Sequence, residues 1–367
     1  MPKSGPPFRI ALFGVGRVGR SFLRLLGAHE PLLKAAAGRQ CSVAGLADRR
    51  GLVFLGEDPD LERVVRHKET TGTLPRDQGV VFSAGQWEEW LEQCCADVLV
   101  DCSVSEFERP QPALDLYRRA LKDGIAVISA NKPPLVHGLK ELSILAARHG
   151  SSLRYGATVG ASLPAWDLLR LLSLQETLVG LEVILNGTTN WIITEMETKG
   201  VGYQEALVDA QRLGYAEPDP RRDVNGSDTA AKLLILANSF WDSSFSWEDI
   251  RIRGIERLTP EWLRESRANN SAVKLIGRLS GRPGAWRLSV EPELLELTHP
   301  LAGLTGTKKG VCVETATGGR YTLTGGASGP DPTASSMIGE LIQILERGSR
   351  GDTWQNAGKD ASASRNA

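Results

Sequence analysis

At 367 residues, with 41% apolar and 24% charged side chains, the chain has the make-up of a folded protein long enough for two domains of ordinary size. A formal net charge of −1 gives no support for a nucleic-acid or anionic-membrane partner. The five cysteines, Cys41, Cys94, Cys95, Cys102 and Cys312, form no CxxC pair and no zinc-ligand spacing, so they read as reduced thiols. The five histidines show no metal-binding grouping and read as structural. No stretch approaches the roughly 18 apolar residues of a membrane span, and residues 1–7 lack a signal-peptide pattern. A soluble, cytoplasmic protein is expected.

In chain order, Phe8–Phe13 is an apolar run closed by glycine, and Arg17–Leu26 has helical periodicity: strand, tight turn, helix. Ser42–Leu46 is a second strand ending at Asp48, after a stretch, Gly27–Gln40, that reads as an insertion. Val98–Val100 and Ile125–Ser129 are further strands, with a helix over Pro112–Leu121 separating them. Apolar strands alternating with helices predict a parallel sheet covered on both faces. Beyond Leu153 the order changes to a helix at Leu163–Leu172, a strand at Val179–Leu185 and helices near Trp191–Glu197, Tyr203–Leu213 and Ser227–Asn238. β-rich stretches follow near Trp286–Leu297 and Gly310–Leu323. The expected fold is α/β: a doubly wound Rossmann-type nucleotide-binding domain plus an α+β substrate and dimerisation domain. The first spans residues 1–150 and is completed by about 321–345, the second spans 151–320, and 346–367 is a polar, disordered tail. The second domain's sheet needs a cover for its face and edges, which predicts a homodimer.

Gly14-Val15-Gly16-Arg17-Val18-Gly19 matches GxGxxG in the required context, after a strand and opening a helix. Gly14 permits the turn, Gly16 lets the backbone approach a pyrophosphate, and Gly19 lets helix and strand pack closely. The phosphates would then meet free N–H groups at a helix N-terminus.

Four later segments give the chain its resemblance to homoserine dehydrogenases. They are Ser129-Ala130-Asn131-Lys132-Pro133, Ala157-Thr158-Val159-Gly160-Ala161-Ser162-Leu163-Pro164, and Leu185-Asn186-Gly187-Thr188-Thr189-Asn190. The fourth, Leu213-Gly214-Tyr215-Ala216-Glu217-Pro218-Asp219-Pro220, runs on through Asp223-Val224-Asn225-Gly226-Ser227-Asp228 to Lys232. The similarity spans about residues 8–345 and implies a monofunctional enzyme, without the kinase or the C-terminal regulatory domain of some relatives. It implies NAD(P)-dependent interconversion of L-aspartate 4-semialdehyde and L-homoserine, in threonine and methionine biosynthesis.

Reducing an aldehyde needs a hydride, a proton for the carbonyl oxygen, and groups that hold the amino acid's charged end. With Ser227 as N-cap, Asp228 and Lys232 fall at i and i+4 on one helix face, so a carboxylate and an ammonium converge. Read alone, that spacing is a surface ion pair. By resemblance Lys232 is the general acid, Lys132 stands beside the nicotinamide and the carbonyl, and Glu217, Asp228, Tyr215, Asp223 and Thr188 line the substrate pocket. Ser103 and Ser105 are placed to contact cofactor ribose or phosphate. Gly325-Gly326-Ala327-Ser328-Gly329 resembles the family's C-terminal cofactor loop, with Gly329 against the dinucleotide, although Pro330 directly after it is less usual. Family backbone carbonyls hold a monovalent cation; the matching positions are Gly156, in place of a common Glu, with Val159, Ala161 and Leu163. Sodium is therefore a second expected ligand.

Asp48 ends the second strand, where a carboxylate accepts from a ribose 2′-OH and favours NAD. Arg49 and Arg50 follow, and guanidiniums there would hold a 2′-phosphate. Two guanidiniums outweigh one acid, so NADP is modestly favoured over NAD. The competing readings are an oxidoreductase for another semialdehyde and a catalytically silent dinucleotide-binding paralogue.

Overall fold

A computed structural model describes residues 6–350, without 57, 58, 78, 84 and 105 and without the side chains of 347–350. Among the described residues two compact units are formed: those up to 134, 140–157 and those from 333 on in the first, 135–139 and 158–332 in the second.

The first unit opens with β1 (Phe8–Phe13), α1 (Arg17–Ala28), α2 (Glu30–Ala37), β2 (Cys41–Asp48) and β3 (Gly51–Leu55). It continues through α3 (Leu61–Thr71), β4 (Gly79–Phe82), α4 (Trp87–Cys94), β5 (Val98–Asp101) and α5 (Ala113–Lys122). β6 (Ala126–Ser129), α6 (Lys132–Arg148) and β7 (Leu153–Arg154) follow. The sheet order is β4-β3-β2-β1-β5-β6-β7. Strands β2, β1, β5, β6 and β7 run parallel, as their apolar, doubly covered sequences demand. The antiparallel additions β3 and β4 extend one edge. Those two strands were not foreseen: β4, Gly-Val-Val-Phe, is short and mostly exposed, with no alternation to mark it. The supposed insertion at 27–40 is α2, which buries Leu33 and stops at Gly38 in the left-handed region (φ 65°).

After the short α7 (Gly156–Gly160), the second unit holds α8 (Ala165–Gln175), β8 (Leu178–Ile184), α9 (Gly187–Lys199), α10 (Tyr203–Arg212), α11 (Arg221–Val224) and α12 (Ser227–Phe240). Then come β9 (Ile250–Ile252), α13 (Pro260–Ala268), β10 (Ser271–Ser280), β11 (Arg287–Glu296), β12 (Lys309–Thr315) and β13 (Gly319–Gly325). The six strands form a mixed sheet ordered β13-β12-β8-β10-β11-β9. β13 pairs with β12 along its whole length, so 319–325 lies in this sheet and not with the nucleotide-binding residues. The last helix, α14 (Pro330–Arg350), returns to the first unit, where Ala334, Met337, Ile338, Leu341 and Leu345 join its core. α14 carries helix through residues 346–350, assigned above to the tail; 351–367 lie outside the described residues.

α12 is apolar nearly all round, with eight of its side chains buried from Thr229 to Ala237, and it lies on the sheet at β10. The close approach is made at Gly277, where a Cβ would stand 2.8 Å from Val183 Cγ2 and 3.1 Å from Thr229 Cγ2. Gly277→Val is expected to lower unfolding stability by about 1–3 kcal/mol, the cost of overpacking. An unchanged denaturant midpoint would refute that packing constraint.

Candidate active site

In the first unit the strand order reverses at β1, whose next partner in sequence, β2, lies on one side and β5 on the other. Ligands of such sheets bind outside the carboxyl ends of the strands at this switch point. The GxGxxG turn leaves β1 there. Gly14 has φ 101°, and a Cβ on it would stand 2.3 Å from the backbone nitrogen of Ser103. A Cβ on Gly19 would meet the Gly14 carbonyl at 2.0 Å, whereas nothing lies within 4 Å of one on Gly16. Thus Gly14 and Gly19 are fixed by packing, and Gly16 faces open space. Val15 is buried, while Arg17 is exposed at the first position of α1 and Val18 is half-buried. No side chain caps α1 and no acid stands in its first turn, so its leading N–H groups suit an anion. These residues fit a dinucleotide.

Beyond β5 and β6 lies a buried polar network that sequence reasoning missed. The fully buried Asp101 carboxylate accepts from Tyr117 Oη (2.6 Å), Ser103 N (2.7 Å) and Asn131 Nδ2 (3.1 Å). Asn131 Nδ2 also donates to Ser103 Oγ (3.1 Å), and Tyr117 Oη meets Ser129 Oγ at 2.6 Å. Burial raises the Asp101 pKa, and the bonds from Tyr117, Ser103 and Asn131 oppose that rise. The network fixes the loop carrying Ser103 and the Asn131 cap that leads into Lys132. Lys132 is the first residue of α6, where Pro133 and Pro134 need no N–H donors, so it stands on a helix start and not in a loop. Ser105 lies outside the described residues.

At the end of β2, Asp48 Oδ1 accepts from Arg50 N (2.7 Å), and Oδ2 is ion-paired to Lys68 of α3. The side chains of Asp48 and Lys68 are only 8% and 11% exposed, so this acid is held and its charge offset. Arg49 and Arg50 are exposed, and Arg50 Nη1 donates to Gly72 O at 3.3 Å.

In the second unit, Asn186 ends the β8 segment and caps α9, accepting from Thr189 N at 2.9 Å. Its amide nitrogen donates to Asp223 Oδ1 (2.6 Å) and Asp228 Oδ2 (2.9 Å). Asp228 Oδ2 also takes a bond from Lys232 Nζ at 2.6 Å, and Nζ donates to the Leu185 carbonyl at 2.7 Å. Both side chains are about 15% exposed: an i,i+4 pair, but not a surface one. Ser227 is not the cap of α12. Gly226, with φ 87°, holds that place, and the Asn225 side chain accepts from Ser227 N (2.9 Å).

Thr188 Oγ1 donates to the Tyr215 carbonyl (2.8 Å), and the Tyr215 ring lies 5.1 Å from that of Trp191. Glu217 is exposed on the same loop, and its carboxylate takes no part in the Asn186 cluster among the described residues. Asp223, Asp228 and Lys232 are therefore brought together, Tyr215 and Thr188 tie the neighbouring loop, and Glu217 stands apart.

Of the four carbonyl positions, Gly156 opens α7 and donates its N–H to Glu340 Oε1 (2.6 Å). Val159 also lies in α7, and Ala161 is left-handed (φ 51°). The Leu163 carbonyl accepts from Ala165 N at 2.7 Å. Gly329, with φ 120°, is exposed and open at its Cβ position. Pro330 begins α14, the position where its locked φ and missing N–H cost nothing, so it is compatible with the loop before it.

The family model for homoserine dehydrogenase matches residues 164–342. A homoserine dehydrogenase of Methanocaldococcus jannaschii is 34% identical over 342 residues, covering 91% of this chain and 98% of that protein. The chain belongs to the homoserine dehydrogenase family. An NAD(+)-dependent homoserine dehydrogenase of Pseudomonas canavaninivorans is 31% identical over 346 residues, 94% of this chain and 97% of that one. A solved hyperthermophilic archaeal homoserine dehydrogenase in complex with NADPH superposes with a TM-score of 0.77 at 28% identity, over 92% of this chain and 97% of the other. The Asn186 cluster lies within the segment that the family model covers.

Proposed function

We propose that this family member interconverts L-aspartate 4-semialdehyde and L-homoserine with NADP or NAD, serving threonine and methionine biosynthesis in the cytoplasm. One observation carries the assignment of roles: the Lys232 ammonium, little exposed, is oriented at once by Asp228 and by the Leu185 carbonyl. A bound nicotinamide supplies or accepts the hydride at the substrate carbon. Lys232 gives a proton to the aldehyde oxygen in reduction and recovers one from the alcohol in oxidation. Two of its three N–H donors are committed inside the protein, so the remaining one sets the direction of transfer. Asp223 and Asp228, held by Asn186, face the substrate ammonium with Glu217, while Thr188 and Tyr215 shape the loop beside them. Lys132, on the helix start after β6, supplies a second cation for the reacting carbonyl.

Dinucleotide binding is supported by the open Gly16 turn and the uncapped start of α1. Preference for NADP is supported by Asp48, whose charge Lys68 offsets, and by the exposed arginines beside it. The mixed sheet of the second unit, with both ends of its strand order open, is the surface proposed to form a homodimer. No helix among the described residues is long and apolar enough to cross a membrane.

Nicotinamide absorbance followed with homoserine, with NAD and NADP in parallel, tests the activity; absence of turnover with both would defeat it. Lys232→Ala is expected to lower kcat by about two to four orders of magnitude with cofactor affinity retained, the scale of a lost general acid. Retention of more than roughly a third of wild-type turnover would remove Lys232 from that role. Arg49→Ala with Arg50→Ala is expected to raise the KM for NADP roughly tenfold or more and leave that for NAD nearly unchanged. Equal loss for both cofactors would mean the arginines do not read the 2′-phosphate. Light scattering at micromolar concentration should give twice the chain mass; a fully active monomer would exclude the dimer.

A further inference from the structure

Lys309, the first residue of β12, is 1% exposed and lies in no segment the proposed chemistry uses. A buried ammonium needs acceptors in place of water. Its Nζ donates to the Gly160 carbonyl (2.5 Å) and to the Ala327 carbonyl (3.0 Å). The first acceptor belongs to the turn with the four carbonyl positions, the second to the glycine-rich 325–329 loop. Two further contacts join the same segments. Ser162 Oγ donates to Ala327 O at 3.1 Å, and a Cβ on Gly326 would stand 2.7 Å from Leu163 N. Burial draws the Lys309 pKa down to about 8; the nearby Lys232 ammonium adds to the fall and Asp228 opposes it.

An ammonium seated on the Gly160 carbonyl, between the Val159 and Ala161 positions, disfavours a second cation at this turn. The Gly160 oxygen is turned to Lys309 and to Leu163 N, and the Leu163 oxygen to Ala165 N. Both Lys309 bonds go to carbonyls and neither to a carboxylate, so its charge is not cancelled by a partner that would leave room for a second cation. Asp228, the acid acting on Lys309, is already bonded to Lys232.

We propose that Lys309 is the built-in cation of the 158–163 turn, a positioning residue whose ammonium clamps that turn to the 325–329 loop and takes the place of a monovalent metal ion. The clamp holds the 325–329 loop in one form; that this loop would meet the dinucleotide is what the family resemblance implies, so this inference rests on the cofactor reading given above. A sodium-dependent enzyme would lose its cofactor-loop geometry when sodium is withdrawn. This chain carries the charge covalently and keeps it below a pH of about 8.

The test reads NADPH binding by nucleotide fluorescence and turnover with homoserine, each in sodium chloride and in choline chloride at equal ionic strength. The wild-type chain should change by less than about twofold in both, since a covalent cation is not exchanged. Lys309→Met should weaken NADPH binding by roughly tenfold or more, the scale of losing charge-assisted hydrogen bonds. Added ammonium chloride should restore much of that binding, as an ion of the same chemistry fills the vacated place, and choline should not. A wild-type chain that loses NADPH affinity in choline overturns the proposal, as does Lys309→Met binding as tightly as wild type or failing to respond to ammonium. If Lys309→Met does not fold, as judged by circular dichroism, the wild-type salt exchange decides alone. Sodium-independent NADPH binding without homoserine turnover would defeat the proposed reaction and leave the clamp standing.

Discussion

A buried charge needs hydrogen-bond partners in place of the water it loses, and this constraint organises both units. An unpaired buried ion costs several kcal/mol even after relaxation, so the residues around it are as constrained as the ion. Asp101 shows the consequence in the first unit. Three donors converge on its carboxylate, from a helix, from the loop after β5 and from the loop after β6. Displacing any one of those loops leaves a fully buried acid under-bonded. The loops proposed to meet a dinucleotide are thus located by a fully buried acid.

The second unit applies the rule to lysines. Lys232 and Lys309 both spend donors on main-chain carbonyls, at Leu185 in one case and at Gly160 and Ala327 in the other. A carbonyl is a fixed partner because the backbone cannot change rotamer, so each ammonium is held more tightly than by a surface carboxylate. Asn186 completes the arrangement: its oxygen caps α9 while its nitrogen spans two carboxylates. One amide side chain therefore orients a helix and two acids, and replacing it by aspartate would set a third negative charge among them.

What the sequence made legible follows from the range of the interactions. The β1 turn and α1, the parallel order of the first sheet and the i,i+4 placing of Asp228 and Lys232 are local patterns, and local periodicity reports them. The carboxyl group of Asp228, by contrast, meets Asn186 across 42 residues, and Lys309 meets Gly160 across 149. Nothing in the spacing announces such pairs. Lys68 reaches Asp48 from 20 residues away and changes the meaning of that acid, which by position alone argued for NAD. Ser227 misled for a local reason: a serine before an acidic helix start reads as a cap, but a left-handed glycine before it and an asparagine two residues back do the same work. Pro330 went the other way, since at the first position of α14 its missing N–H is one that a helix leaves unused.

The charge pattern around Lys232 bears on what the site discriminates. Asp228 bonds Lys232 and acts on the Lys309 ammonium, and Asn186 holds Asp223 close by, so two acids and two ammonium groups cancel formally near neutral pH. The Lys309 pKa of about 8 means that this balance weakens in mild alkali, as its ammonium loses charge with rising pH. A set that cancels exerts little net pull on an amino acid that is itself a zwitterion. Recognition then rests on where the charges stand, not on their sum, because attraction at contact distance in a poorly solvated site far exceeds that of a remote net charge. This is why the hydrogen bonds that fix Asp223 and Asp228 matter more than the acids' presence. An asparagine that bonds both at 2.6 and 2.9 Å sets the separation of the two negative charges, and with it, in the proposed reaction, the shape of ligand they would accept.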